Sequence, residues 1–235
     1  MSVPVSANVA GVSAPDPFDR VRMDYDSVAE NYNEFVRGRE DIIDVLSTAM
    51  IDAFTGLVRL VGTNGPVLDA GCGPGHWTDH LDRAGLNAYG VDLSPAMIDI
   101  ARRYRPDLRY EVGSLLSLDA DDASLSGILA HYSLIHLAPP LVPQALAEFA
   151  RAAEPGAPLL LGFQLADETG ADWVSHPHQA SPSYRWRLDP MSQHAGSAGF
   201  TEVARLRIAP QEHGRPANGY LLLTRDASSL DTLDP

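Results

Sequence analysis

The chain has 235 residues, 45% of them hydrophobic, which is enough for one large domain with a buried core and too few for two full domains. Its 17 basic and 31 acidic residues leave a formal charge of −14, which repels nucleic-acid phosphates and anionic lipid surfaces; the densest basic stretch, ARRYRPDLRY, reads as an ordinary helix face. A single cysteine, Cys72, excludes an internal disulfide and a paired-cysteine zinc site, and no apolar run reaches membrane-spanning length, so the expectation is a cytoplasmic protein with neither membrane nor nucleic acid as partner.

Residues 1–18 are small, polar and proline-punctuated, lack the basic and apolar regions of a leader, and are expected to be a disordered tail. One folded domain is expected over 19–225, opening with a helical segment at 19–62. There YDSVAENYNEF and DIIDVLSTAMIDAFTGLVRLV carry apolar residues at helical spacing, the second with Ile42, Val45, Leu46, Ala49 and Phe54 on one face.

From Pro66 the pattern alternates. PVLDAG predicts a strand, HWTDHLDRAG a helix, NAYGVDLS a strand, PAMIDIARRY a helix capped by Ser94 with Pro95 in its first turn, and LRYEVGS a strand. SGILAHYSLIHL is a strand running into a loop, PPLVPQALAEFARAAEPG a helix, and APLLLGFQLA another strand. Alternation of this length predicts an α/β fold with a parallel sheet wrapped on both faces. Residues 166–192 show no clear period and read as an insertion. MSQHAGSAGF then predicts a short helix, TEVARLRIAP and NGYLLLTR two antiparallel edge strands, and 226–235 a frayed tail.

Ligands of open parallel sheets bind beyond the C-terminal strand ends, where VLDAGCGPGHW lies. Gly71, Gly73 and Gly75 bring bare backbone to that point and permit positive φ. Asp92 ends the next strand, some 20 residues after the glycines, a spacing that sets a carboxylate within reach of a ribose diol. The dinucleotide pattern needs G-x-G-x-x-G, whereas here the spacing is G-x-G-x-G and Asp69 precedes the turn. A carboxylate at that point repels a pyrophosphate and favours a ligand carrying an ammonium or sulfonium.

Asp69-Ala-Gly-Cys-Gly-Pro-Gly75, followed by GVDLSPAMIDIARR, resembles the first motif and the acidic second-strand motif of the class I S-adenosylmethionine-dependent methyltransferases. The resemblance covers about residues 19–165 and, more loosely, the edge strands to 224. It implies a Rossmann-like, doubly wound sheet of seven strands in the order 3-2-1-4-5-7-6, with strand 7 antiparallel, plus an N-terminal helical lid. It implies S-adenosyl-L-methionine as cofactor, with Asp69, Gly71, Cys72 and Gly73 at the methionyl part, Asp92 on the ribose hydroxyls, and Leu93 and Met97 beside the adenine. Two family acids are missing: Ser114 follows Gly113 at the adenine edge, where the N–H of Leu115 gains weight, and Ser126 stands at the start of the fourth strand. YDSVAENYNEF resembles the family's lid. Tyr25 and Tyr32, seven residues apart and so on one helical face, would cover a sulfonium, which an aromatic face attracts.

Methyl transfer is an in-line displacement, so the acceptor must be held opposite the sulfur, with a base only where the acceptor arrives protonated. His131, Tyr132 and His136 fall at the end of the fourth strand and in its loop, and YSLIH with HPHQASPSYRW resembles a bacterial small-molecule subgroup. His136 is the expected base, His131 a cofactor contact and Tyr132 an acceptor contact. In the insertion, Tyr184 and Trp186 alternate with Arg185 and Arg187 as a strand would, and Tyr184, Arg185 and Trp186 are expected at the acceptor. His176 and His178 have no third ligand at useful spacing, so no metal is expected. The resemblance implies transfer of a methyl to an O, N or C atom of a small molecule, with secondary metabolites as a candidate class. The alternatives from the residues are an NAD-dependent oxidoreductase and a non-catalytic S-adenosylmethionine-binding protein; RNA or protein methylation is disfavoured by the acidic chain.

Overall fold

The computed structural model describes residues 17–38, 42–62, 65–168, 170–177, 181–210 and 216–227. The expected tails lie outside these apart from residues 17–18 and 226–227, and so do His178 and the side chain of Ile42. Two helices, α1 (Pro17–Arg37) and α2 (Ile42–Val61), precede the alternating part. Then follow β1 (Val67–Ala70), α3 (His76–Arg83), β2 (Ala88–Asp92), α4 (Pro95–Tyr104), β3 (Arg109–Val112), β4 (Gly127–His131), α5 (Val142–Ala152) and β5 (Pro158–Gln164). Two short 3-10 turns, Leu134–His136 and Pro139–Leu141, join β4 to α5.

The segment read as a period-free insertion forms an antiparallel hairpin, β6 (Trp173–His176) and β7 (Ser183–Trp186), which is separate from the main sheet. After it come α6 (Leu188–Ser197), β8 (Phe200–Ile208) and β9 (Asn218–Arg225). α6 begins three residues ahead of the expected MSQHAGSAGF helix and stops before Gly199, whose φ of +93° ends it.

The seven-stranded sheet has the order β3-β2-β1-β4-β5-β9-β8. β1 to β5 pair in parallel, while β9 runs antiparallel to both β5 and β8. With the hairpin set aside, this is the expected seven-strand order.

Both faces of the sheet are covered, which explains why its strands read as apolar runs rather than as alternation. Leu68, Ile128, Leu159, Leu161, Leu221 and Leu223 join one core with Leu146 and Phe149 of α5 and with Met191 of α6. The intervening residues Val67, Leu129, Leu160 and Leu222 turn to the other face and pack on Ile51, Phe54 and Val58 of α2. Each such side chain contributes about 1.5–3 kcal/mol of burial.

The buried face of α2 is therefore Ser47, Ile51, Phe54 and Val58, and the expected face is corrected: Val45 is 68% exposed and Ala49 is also exposed. Asp44, Thr48, Asp52 and Arg59 share one polar stripe, but apolar residues fill most of the remaining circumference, more than one buried face needs, so hydrophobic periodicity leaves the helix's rotation undetermined. Contacts decide it, including a hydrogen bond of 2.5 Å between Ser47 Oγ and Tyr220 Oη. β8 is an edge strand carrying Glu202, Arg205 and Arg207 and a register shift between Glu202 and Ala204, features that blunt edge pairing.

Candidate active site

The turn between β1 and α3 is built on left-handed backbone: Gly71, Gly73 and Gly75 have φ of +77°, +52° and +78°. A Cβ on Gly71 would stand 2.3 Å from the Cβ of Ser133, so the chain after β4 closes directly on the bare turn. Beside it opens a cavity of about 790 Å³ including its mouth, walled by the C-terminal ends of β2 and β4, the loop after β3, and α1.

Asp92 lies in the cavity wall. Its Oδ2 accepts the amide of Gly73 at 2.8 Å and its Oδ1 the amide of Ser94 at 2.9 Å. Burial pushes its carboxyl above the usual carboxylate range, against the lowering by the Ser94 and Gly73 amides. Leu93, Met97, Ser114 and Leu115 line the same cavity. The Ser114 hydroxyl accepts the amide of Leu116 at 3.2 Å, which leaves its hydrogen available to a ligand.

Asp69 and Cys72 are buried and are not among the lining residues. Asp69 faces the start of α3, where it accepts the Thr78 hydroxyl at 2.7 Å and the Thr78 amide. Desolvation raises its carboxyl to about 7, outweighing the Thr78 hydrogen bonds. Burial likewise raises the Cys72 thiol, and a Cβ on Gly90 would meet its sulfur at 2.6 Å. That thiol is enclosed and inert.

α1 crosses the cavity with Tyr25 and Tyr32 in its wall, ring centroids 5.9 Å apart and edge to face. The helix is fastened by side chains that sequence reasoning missed. Asp26 Oδ1 accepts the Ser94 hydroxyl at 2.5 Å and the Ala96 amide at 3.2 Å, so α1 supplies a second cap to α4 beside Ser94 itself. Arg37 donates to the Pro74 carbonyl at 3.3 Å and lies over the Tyr104 ring at 3.6 Å. Val21 and Arg22, one turn before Tyr25 on the same face, also line the cavity; the helical period around Tyr25 was the signal that could have found them.

β4 delivers His131, Tyr132, Ser133, His136 and Leu137 to the wall. Tyr132 has φ of +56°, a conformation uncommon for a non-glycine residue, and its hydroxyl donates to Asn218 at 2.7 Å. His131 accepts the indole N–H of Trp77 on Nδ1 at 3.1 Å, so its hydrogen sits on Nε2, which meets Tyr220 Oη at 3.1 Å. Its two nitrogens are thus engaged within the protein. His136 Nδ1 lies 3.1 Å from the Pro182 carbonyl and Nε2 lies 2.5 Å from the Tyr25 hydroxyl. Ser133 Oγ is buried in this wall without a hydrogen-bond partner, a hydroxyl that sequence reasoning passed over.

Tyr184, Arg185 and Trp186 do not line the cavity. Trp186 is 1% exposed within the main core, Tyr184 packs against that core, and Arg185 donates to His176 Nε2 at 2.8 Å. The alternation of β7 aims both rings at the core because the hairpin lies against β5, a tertiary contact that the pattern does not reveal. The insertion reaches the site through the Pro182 carbonyl.

A "Methyltransferase domain" family model matches residues 67–156. The magnesium-protoporphyrin O-methyltransferase of Rhodobacter capsulatus is 30% identical over 176 residues, covering 68% of this chain and 71% of that protein. The 2-heptyl-1-hydroxyquinolin-4(1H)-one methyltransferase of Mycobacteroides abscessus is 28% identical over 180 residues, 70% of this chain and 78% of that protein. Among solved structures, the Burkholderia thailandensis 1,6-didemethyltoxoflavin-N1-methyltransferase, with bound 1,6-didemethyltoxoflavin and S-adenosylhomocysteine, superposes with a TM-score of 0.69 at 20% identity, covering 93% of each chain. The bare glycine turn, the Asp92 carboxylate in the cavity wall and the two tyrosines of α1 fit the cofactor of these proteins. The oxidoreductase and non-catalytic alternatives find no support, and the chain belongs to the class I S-adenosylmethionine-dependent methyltransferases.

Proposed function

We propose that this methyltransferase acts on a small, flat heteroaromatic acceptor bearing an ionisable O–H or N–H, and that residues 19–225 work as one domain. Gly71, Cys72 and Gly73 take the methionyl part through their backbone, with Asp69 behind them, and Asp92 takes the ribose hydroxyls. Leu93 and Met97 flank the adenine, whose edge meets Ser114 and the Leu115 amide. Tyr25 and Tyr32 close over the sulfonium. When bound, the cofactor supplies an electrophilic methyl whose bond pair leaves with a neutral sulfur.

The chain's own residues position the acceptor and receive its proton. Tyr132, fixed in its unusual backbone conformation, forms the acceptor wall with Leu137, and His136 takes up the proton. His131, engaged on both nitrogens, shapes the pocket. The observation that carries this reading is that His136 and Tyr25 share one cavity wall with Asp92 and the glycine turn. Support for the acceptor class comes from the hydroxyquinolone and toxoflavin enzymes among the relatives. The charge of −14 supports a small molecule over nucleic acid. Among the described residues no helix is long and apolar enough to cross a membrane, and with a lone cysteine this supports a cytoplasmic site of action.

The test is incubation with S-adenosylmethionine and a panel of hydroxyquinolones, pteridine-like heterocycles, phenols and aliphatic alcohols, with mass spectrometry of products. Methylated heteroaromatics are expected. Turnover only of aliphatic alcohols, or only of added RNA or protein, would overturn the acceptor class.

A further inference from the structure

Among the site's hydrogen bonds, the one between Tyr25 and His136 constrains the proton's route. The Pro182 carbonyl is an acceptor only, so His136 Nδ1 carries the ring hydrogen and Nε2 holds the lone pair. That lone pair receives the Tyr25 hydroxyl at 2.5 Å. Tyr25 donates, and its oxygen lone pairs remain on a residue that itself lines the cavity. A proton leaving an acceptor therefore meets the phenol oxygen before it meets the imidazole. Burial raises the Tyr25 phenol far above its ordinary value, with Tyr32 and Asp92 acting in the same direction, so the hydroxyl stays protonated and able to donate.

We propose that Tyr25 is the catalytic residue that touches the acceptor's proton, relaying it to His136 as lid and base act together. This rests on the reading of His136 as the proton's destination. In one step the acceptor X–H bond breaks and its proton bonds to the Tyr25 oxygen while the Tyr25 O–H proton passes to His136 Nε2. The phenol is regenerated, the electron pair left on X is the one that takes the methyl, and the positive charge ends on an imidazolium steadied by the Pro182 carbonyl. The relay draws on three elements distant in sequence: α1, the 3-10 turn after β4, and the loop before β7. Only a closed α1 completes it, and Asp26 and Arg37 hold α1 closed. The acceptors it serves are those that arrive protonated, such as N-hydroxy, phenolic or acidic N–H compounds; a carboxylate already ionised needs no relay.

The test compares Y25F, H136Q and the double variant. Phenylalanine keeps the ring over the cofactor, so S-adenosylhomocysteine affinity by calorimetry is expected to stay within about threefold. With a hydroxyquinolone acceptor, kcat is expected to fall about 100-fold in each single variant and no further in the double, since the residues act as a unit. A readout independent of turnover is long-range proton–nitrogen NMR of the S-adenosylhomocysteine complex. It should show His136 protonated on Nδ1, with an Nε2 resonance that Y25F displaces while the other histidines stay in place. If H136Q is fully active, the base assignment falls. If H136Q is impaired but Y25F is not, or the losses multiply, only the relay falls. An Nε2 resonance indifferent to Y25F overturns the relay whichever acceptor is turned over.

Discussion

Asp69 shows how one residue can be costly to the fold at the place where the ligand is needed. It is 1% exposed, holds the start of α3 through Thr78, and has its carboxyl raised to about 7 by burial. An unfolded aspartate loses its proton near 3.8. Between those values the native chain keeps a proton that the unfolded chain has released, so stability falls as pH rises from about 4 to about 7 and remains low above that. D69N, whose amide oxygen still accepts from Thr78, removes this fall. Measured by urea unfolding, the variant should gain a few kcal/mol on the wild type between pH 4 and pH 8. Equal pH dependence in the two proteins would mean that the native Asp69 carboxyl is not raised.

At the scale of elements, the attachment of α1 across the cavity is specific. Its packing on α4 buries Ala29, Met97 and Ile100, but orientation comes from Asp26 at the start of α4 and Arg37 at the glycine turn. D26A removes the acceptor for the Ser94 hydroxyl and the Ala96 amide, a loss of about 1–2 kcal/mol falling on α1. Hydrogen exchange is the fitting measurement, with faster exchange expected in α1 and the first turn of α4 and unchanged protection in β1, β4 and β5. Cofactor affinity should drop by about tenfold, the equivalent of 1.4 kcal/mol. Uniform loss of protection across the sheet would show instead that α1 belongs to the main cooperative unit. The pair of tyrosines announced this helix; Asp26 reads in sequence as one more exposed helix acid, because its partners lie 68 and 70 residues away.

For the whole molecule, the sheet is both core and conduit. A chain of hydrogen bonds runs from Trp77 on α3 through His131 on β4 and Tyr220 on β9 to Ser47 on α2, crossing one face of the sheet beneath the cavity. Tyr220 is fully buried at its centre. Y220F withdraws one partner from both His131 and Ser47, and destabilisation of about 1–3 kcal/mol in chemical unfolding is expected. A smaller change would mean that the network is satisfied by other means. Its buried bonds hold the end of β4, and with it Tyr132 and His136, in register with the glycine turn on β1.

The sequence by itself determined the alternation of strands and helices, the glycine turn, the acid that ends β2 and hence the family, because each is a local pattern whose chemistry resides in neighbouring residues. It also marked Tyr25, Tyr32 and His136, each by its own surroundings. Only the tertiary structure decided which face α2 buries, that Trp186 belongs to the core, that Asp69 turns to α3, and that Tyr25 and His136, 111 residues apart, share a hydrogen bond. The physical reason is one of range. Periodicity and turn chemistry are fixed within a few residues, whereas the rotation of a helix that is apolar over most of its circumference and the partner of a buried polar atom depend on surfaces that meet only after the sheet has assembled.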